Sequence, residues 1–104
     1  MTASDLLTIL SRHTGRDNGI AADTLAELMG IASRQVRTHV SALRSEGVAV
    51  CGTPETGYYI AANADELEET CQFLRHRAMH SLTLESRLRN IPMPDLIGQL
   101  HLNT

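Results

Sequence analysis

Apolar positions recur along the chain with helical spacing in four places and with strand-like alternation in one short region between the third and fourth. The first helix opens on Thr2-Ala3-Ser4-Asp5, the form of a capping box, in which the Thr2 hydroxyl and the Asp5 carboxylate each take an orphan amide. Leu6, Leu7, Ile9 and Leu10 give it an apolar face that runs out near His13, and Gly15 breaks the pattern. The segment "GRDNG" then reads as a loop. In "IAADTLAELMG" a short second helix puts Leu25, Leu28 and Met29 on one side and closes at Gly30, which lets the chain take a left-handed turn without a Cβ clash. A third helix starts almost at once. Its Val36, Val40 and Leu43 point to the core, and Gly47 ends it.

"VAVCG" and "GYYI" are β-prone runs joined by "TPET", a pattern that predicts a hairpin. Alternation places Val48 and Val50 on one face, and Tyr58 with Ile60 on one face, leaving Tyr59 on the other. A two-stranded ribbon is not stable alone, so its apolar face is expected to lie on the helices, with Tyr58 in the core and Tyr59 either against a helix or in solvent. Asn63 then caps a long helix whose first turns carry Asp65, Glu66, Glu68 and Glu69, acids that suit the positive end of the helix dipole. Leu67, Cys71, Leu74 and Ala78 recur along it as a coiled-coil-like seam, weakly continued by Leu82 and Leu88. Pro92 and Pro94 are expected to stop the helix, leaving residues 92–104 as a partly apolar tail.

A chain of 104 residues with 42% hydrophobic content has the size and composition of one small globular domain. No apolar run is long enough to span a bilayer, and "MTASDLLTIL" lacks the cationic start of a secretion signal, so a cytoplasmic location is expected. The net charge is -3, yet Leu28 to Leu43 holds two arginines, a glutamine and a histidine and no acid. All nine cationic residues are arginine, whose planar fork suits phosphates and guanine edges. With 12 acids against nine arginines, any nucleic-acid binding must come from a local patch.

The order helix, helix, turn, helix, hairpin, long helix resembles a winged helix-turn-helix domain followed by a long C-terminal helix. The residues that carry the resemblance are Leu25-Ala26, Gly30-Ile31, Val36, Val40, Leu43, Glu46-Gly47 and Gly57-Tyr58-Tyr59-Ile60. They are most similar to the small N-terminal DNA-binding module of biotin-operon-repressor-type proteins, and the single-domain format resembles small phage and prophage regulatory proteins. The resemblance implies a mainly α fold with a β-hairpin wing over residues 1–62, a dimerisation helix over 63–91, and a sequence-specific double-stranded DNA-binding protein that regulates transcription by occupying a site. It places the third helix in the major groove with its N-terminal residues toward base edges. Ser33, Arg34, Gln35, Arg37, Thr38 and Ser41 are then the DNA-binding candidates. Arg34 or Arg37 suits guanine O6 and N7, Gln35 suits adenine N6 and N7, and Ser33 and Thr38 have the size to reach a phosphate or a base edge. His39 is either a phosphate contact or a half-buried packing residue.

Two features depart from that pattern. The wing tip Thr53-Pro54-Glu55-Thr56 has no cation, so wing contacts would rest on backbone amides or the hydroxyls of Thr53 and Thr56. Ala21 and Ala32 stand where a capping serine or threonine is usual. The seam Leu67, Cys71, Leu74 and Ala78 implies a homodimer and a palindromic site, the alternative being that the long helix folds back to complete the core. The rival reading is a winged-helix protein-interaction or phage replication-accessory module that reads no DNA sequence, with the tail as a docking peptide for a protein partner. No enzyme, cofactor or membrane partner is expected: His76 and His80 are four apart but lack a third ligand, and there is no glycine-rich phosphate loop.

Overall fold

The computed structural model describes residues 2–102, and the side chains of residues 2–100. Met1, Asn103 and Thr104, the last two part of the expected tail, lie outside the described residues. Two compact units divide the chain, Met1–Thr70 and Cys71–Thr104.

In the first unit, Thr2 caps α1 (Ala3–Leu10) through the expected box: its side chain accepts from the Asp5 amide at 3.4 Å, and the Asp5 carboxylate accepts from the Thr2 amide at 2.7 Å. Leu6 and Leu10 are fully buried. Residues 16–18 form a single 3-10 turn within the expected loop, and α2 (Ala22–Met29) follows. Gly30 ends α2 with φ 67°, the left-handed turn expected of it, and α3 (Ser33–Ser45) begins three residues later. Leu25, Ala26 and Met29 of α2 meet Val36, Val40 and Leu43 of α3 and Leu6 and Leu10 of α1 in one core. Leu28, expected on that apolar side, is instead 60% exposed. On a two-turn helix the stripe is narrow, and Ala26, which allows close approach to α3, takes the inward position.

The hairpin pairs β1 (Val50–Thr53) with β2 (Gly57–Ile60), in the register Val50 to Ile60 and Cys51 to Tyr59. The first strand starts two residues later than its β-prone run. The ribbon also has a third participant that its own sequence does not signal. Ile20 and Tyr58 exchange both backbone hydrogen bonds at 2.8 Å, and on the same edge Gly15 and Ile60 bond to Ile60 and His13 carbonyls, also at 2.8 Å. The link between α1 and α2 therefore satisfies the outer edge of β2. Glycine makes this approach possible. At Gly57, φ is 71° and a Cβ would stand 2.7 Å from the Ile20 carbonyl.

Both faces of the ribbon are covered, so Tyr58 packs on the core as expected and Tyr59, for which a helix or solvent was open, is buried. Val50, Ile60 and a half-buried Tyr58 face the helical core, whereas Tyr59 is 1% exposed beside Cys51 on the opposite face. The first turns of α4 (Ala64–Arg89) lie there: the Cys51 thiol donates to the Glu66 carbonyl at 3.7 Å, and the Gly52 N–H donates to the Thr70 hydroxyl at 3.2 Å. This packing extends the first unit to Thr70, beyond the boundary that the hairpin alone would set. Asn63 caps α4 as expected, its side chain accepting from the Glu66 amide at 2.9 Å.

In the second unit α4 runs on to Arg89, and Asn90 breaks it with φ 60°. The expected tail is a helix, α5 (Met93–Leu102), with Leu96 buried. The prolines open this helix rather than merely ending the previous one. The Pro92 carbonyl accepts from the Asp95 and Leu96 amides at 3.1 and 3.2 Å, and Pro94 occupies the first turn, where its missing N–H costs nothing.

Candidate nucleic-acid interface

The outward face of α3 is set by the three residues that turn inward. Val36, Val40 and Leu43 are buried, so Arg34, Arg37, Thr38 and Ser41 are exposed along one side of a helix held by α1 and α2. Among the described residues, no hydrogen bond or ion pair engages the guanidinium groups of Arg34 and Arg37. They are two solvated cations on a rigid element, about one turn apart.

The other candidates are partly occupied. Gln35 folds back so that its Oε1 accepts from the Ala32 N–H at 2.9 Å. It thereby supplies half of a capping box at a helix start where Ala32 provides no side-chain cap. Ser33 is half-buried, and its hydroxyl donates to the Asp23 carboxylate at 2.5 Å. Thr38 is exposed, and its hydroxyl donates to the Arg34 carbonyl at 3.2 Å. The Ser41 side chain is exposed, its carbonyl accepting from Ser45 at 2.9 Å. His39 is half-buried and close enough to Asp5 for an electrostatic interaction.

Two residues of this region have no signal in the local sequence pattern. Asp23 lies ten residues before Ser33 and reaches it only because the turn at Gly30 brings the two helix starts together. Arg44 is drawn off the exposed face, its Nε donating to the Val50 carbonyl at 2.8 Å and fastening the end of α3 to the hairpin.

At the hairpin tip Thr53 and Thr56 are bound to each other. The Thr53 amide donates to the Thr56 hydroxyl at 3.0 Å, the Thr56 amide donates to the Thr53 hydroxyl at 3.3 Å, and the Thr56 hydroxyl donates to the Gly57 carbonyl at 2.9 Å. Pro54 and Glu55 are the exposed residues of the tip.

Behind the hairpin, Arg16 connects its backbone and side chain to α4. The Arg16 N–H donates to the Glu66 carboxylate at 2.9 Å, which also accepts from the Ala62 N–H at 2.8 Å, and the guanidinium pairs with Glu69. The two amides hold the Glu66 carboxyl below the ordinary glutamate value, and a hydrogen bond to Tyr59, with the Glu69 charge, holds Arg16 above the arginine value.

Elsewhere, a solvent-open cleft of about 340 Å³ is lined by Thr8, Ile9, Arg12, His13 and Leu28. Among the described residues, no three His, Cys, Asp or Glu side chains converge on a metal-sized site, and no helix is long and apolar enough to cross a membrane. His76 and His80 are exposed on α4. Leu67, Cys71, Leu74 and Ala78 are exposed too, Thr70 being the buried residue of that helix. No family model, curated protein or solved structure matches the chain.

Proposed function

We propose that this protein is a winged helix-turn-helix protein that binds double-stranded DNA in a sequence-dependent way and regulates transcription by occupying its site. In this reading α2 and α3 are the helix pair, the β1–β2 hairpin is the wing, and α3 enters the major groove. The observation that carries it is the pair of unpartnered guanidinium groups, Arg34 and Arg37, on the outward face of a helix whose inward face is fully buried. Arginine in that position reads guanine by two parallel hydrogen bonds. Gln35 would contact a base only by leaving the Ala32 amide, so the arginines are the primary readers and Gln35 a secondary one. Pairing of two chains through α4 would make the bound site two-fold symmetric.

The experiment is selection of duplexes from a random pool at near-physiological salt, with the Arg34→Ala/Arg37→Ala double variant alongside. Enrichment of one motif that the double variant loses supports the reading; no enrichment over the double variant overturns it.

The hairpin tip favours a second reading. Both threonine hydroxyls are engaged internally and Glu55 is the exposed charge, which repels phosphate, so this hairpin suits a protein partner better than a DNA backbone. A winged-helix interaction or replication-accessory module would show no steep loss of DNA affinity with salt, because it displaces no condensed counterions.

A further inference from the structure

Helix α4 carries an apolar seam whose side chains are exposed among the described residues. Leu67 is 41% exposed and Leu74 38%, and Cys71 and Ala78 are exposed as well. The residues of α4 that meet the hairpin, Glu66 and Thr70, lie about a quarter turn around the helix from this seam, because successive residues advance by about 100°. Beyond Ala78 the same alternation of 4 and 3 passes through Ser81 and Glu85, which are polar, before it reaches Leu88, so the unbroken apolar run ends at Ala78. Its centre therefore falls between Gln72 and Phe73.

We propose that a second copy of this chain covers the seam, with the two α4 helices antiparallel about a two-fold axis at that centre. Leu67 then packs on the partner's Ala78, and Cys71 on the partner's Leu74. The inference rests on self-association through α4 and adds its direction and register; it does not depend on DNA being the ligand of α3.

Charge sets the direction. The N-terminal part of α4 carries Asp65, Glu66, Glu68 and Glu69, and the part just beyond the seam's centre carries Arg75 and Arg77. Of these, Glu68 and Arg75 occupy the same flanking position of the repeat, one on each side of the centre. In an antiparallel pair that position faces its own kind on the other helix, so Glu68 meets the partner's Arg75, and the two-fold axis repeats the pair. In a parallel, in-register pair the acids lie beside the same acids and the arginines beside the same arginines. Opposed helix dipoles favour the antiparallel arrangement further. Arg77 is already stacked on Phe73, 5.9 Å from the ring centre, and is not needed for the pairing.

Sedimentation of the unmodified chain reads self-association, and cysteine cross-linking reads direction. In a Cys71→Ser background, Leu67→Cys and Ala78→Cys lie 11 residues apart on one helix, about 16 Å, too far to join within a chain. Under mild oxidation the double variant is expected to form a covalent dimer while either single variant stays monomeric on a non-reducing gel. A dimer from Leu67→Cys alone would overturn the antiparallel direction in favour of a parallel pair. A chain that sediments as a monomer at micromolar concentration, with no cross-link in any variant, would overturn self-association itself and leave the DNA reading untouched. As a second measurement, Glu68→Arg or Arg75→Glu alone should weaken the dimer about tenfold, and the two together should restore it. Failure of the double swap to restore the dimer would overturn the proposed register.

Discussion

The Gly52 N–H, buried in the middle of the hairpin, donates to the hydroxyl of Thr70 at 3.2 Å. No strand neighbour takes that role on this face, so one side chain from α4 satisfies a buried amide of the ribbon. Thr70→Val keeps the shape and removes the acceptor. It should destabilise the protein by about 1–3 kcal/mol in urea unfolding, whereas Thr70→Ser should recover most of the loss.

Gly57 and Gly98 make opposite predictions for the same substitution. At Gly57 a Cβ would stand 2.7 Å from the Ile20 carbonyl at φ 71°, so Gly57→Ala should cost more than about 2 kcal/mol. Gly98 is within α5 with nothing within 4 Å of the added atom, so Gly98→Ala should raise helicity and stabilise α5 by about 0.5–1 kcal/mol. Thermal unfolding followed by circular dichroism separates the two.

The start of α3 is under-capped. Ala32 has the extended backbone of a capping residue, φ -75° and ψ 151°, but no side-chain acceptor. Ala32→Ser should stabilise the protein by about 0.5–1 kcal/mol, and Gln35→Ala should destabilise it by a similar amount because the Ala32 amide loses its partner. Unfolding midpoints of the two variants test both signs.

Acid should loosen two local ties, that of Arg16 and Ala62 to the start of α4 and the cap of α1. The Glu66 carboxyl is held below its ordinary value by the Arg16 and Ala62 amides, and that of Asp5 by the Thr2 amide and hydroxyl. Because the folded values are the lower ones, protons bind more readily to the unfolded chain. The stabilisation is therefore complete above the ordinary carboxylate range and is lost as pH falls through the lowered values. Glu66→Gln should flatten the dependence of stability on pH over the acid range and leave the neutral-to-alkaline side unchanged in slope. Unfolding curves across a pH series read this directly.

For DNA, Arg34→Ala and Arg37→Ala should each cost about 1–3 kcal/mol of affinity for a selected site if the side chain reads a base. A phosphate contact would instead lower the slope of log affinity against log salt by about 0.9 per arginine. Titration of the selected duplex at several salt concentrations distinguishes these roles. Ser41→Ala, at the far end of the exposed stripe, should have the smallest effect of the α3 variants.

The helices of the first unit were legible because their periodicity is strong and their ends are marked: Thr2 and Asp5 at one start, Gly30 at one stop, and Val36, Val40 and Leu43 one to two turns apart. Alternation also separated Tyr58 from Tyr59 correctly. It did not say which face would be covered, because coverage of Tyr59 comes from α4, many residues away. Leu28 illustrates the converse, an apolar residue in register with a stripe too short to reach a partner. The closing of residues 13–20 onto β2 and the meeting of Asp23 with Ser33 depend on close backbone approach, for which a lone glycine is only a faint local sign. At the C-terminal end Pro92 and Pro94 read locally as stops, although the first turn of a helix accepts proline as readily as the residue after its end.

The mutual bridge between Ile20 and Tyr58 has a topological consequence. It ties together two points 38 residues apart, and α2 and α3 lie within the loop so closed. The entropy of closing that loop is spent once, by contacts outside the helix pair, and the orientation of α3 is inherited from the closure rather than from α3 itself. A peptide containing only α2 and α3 lacks the clasp. The smallest fragment expected to present Arg34 and Arg37 in their native orientation thus runs from α1 through the first turns of α4, and its assembly should be limited by the slow meeting of distant segments rather than by helix formation.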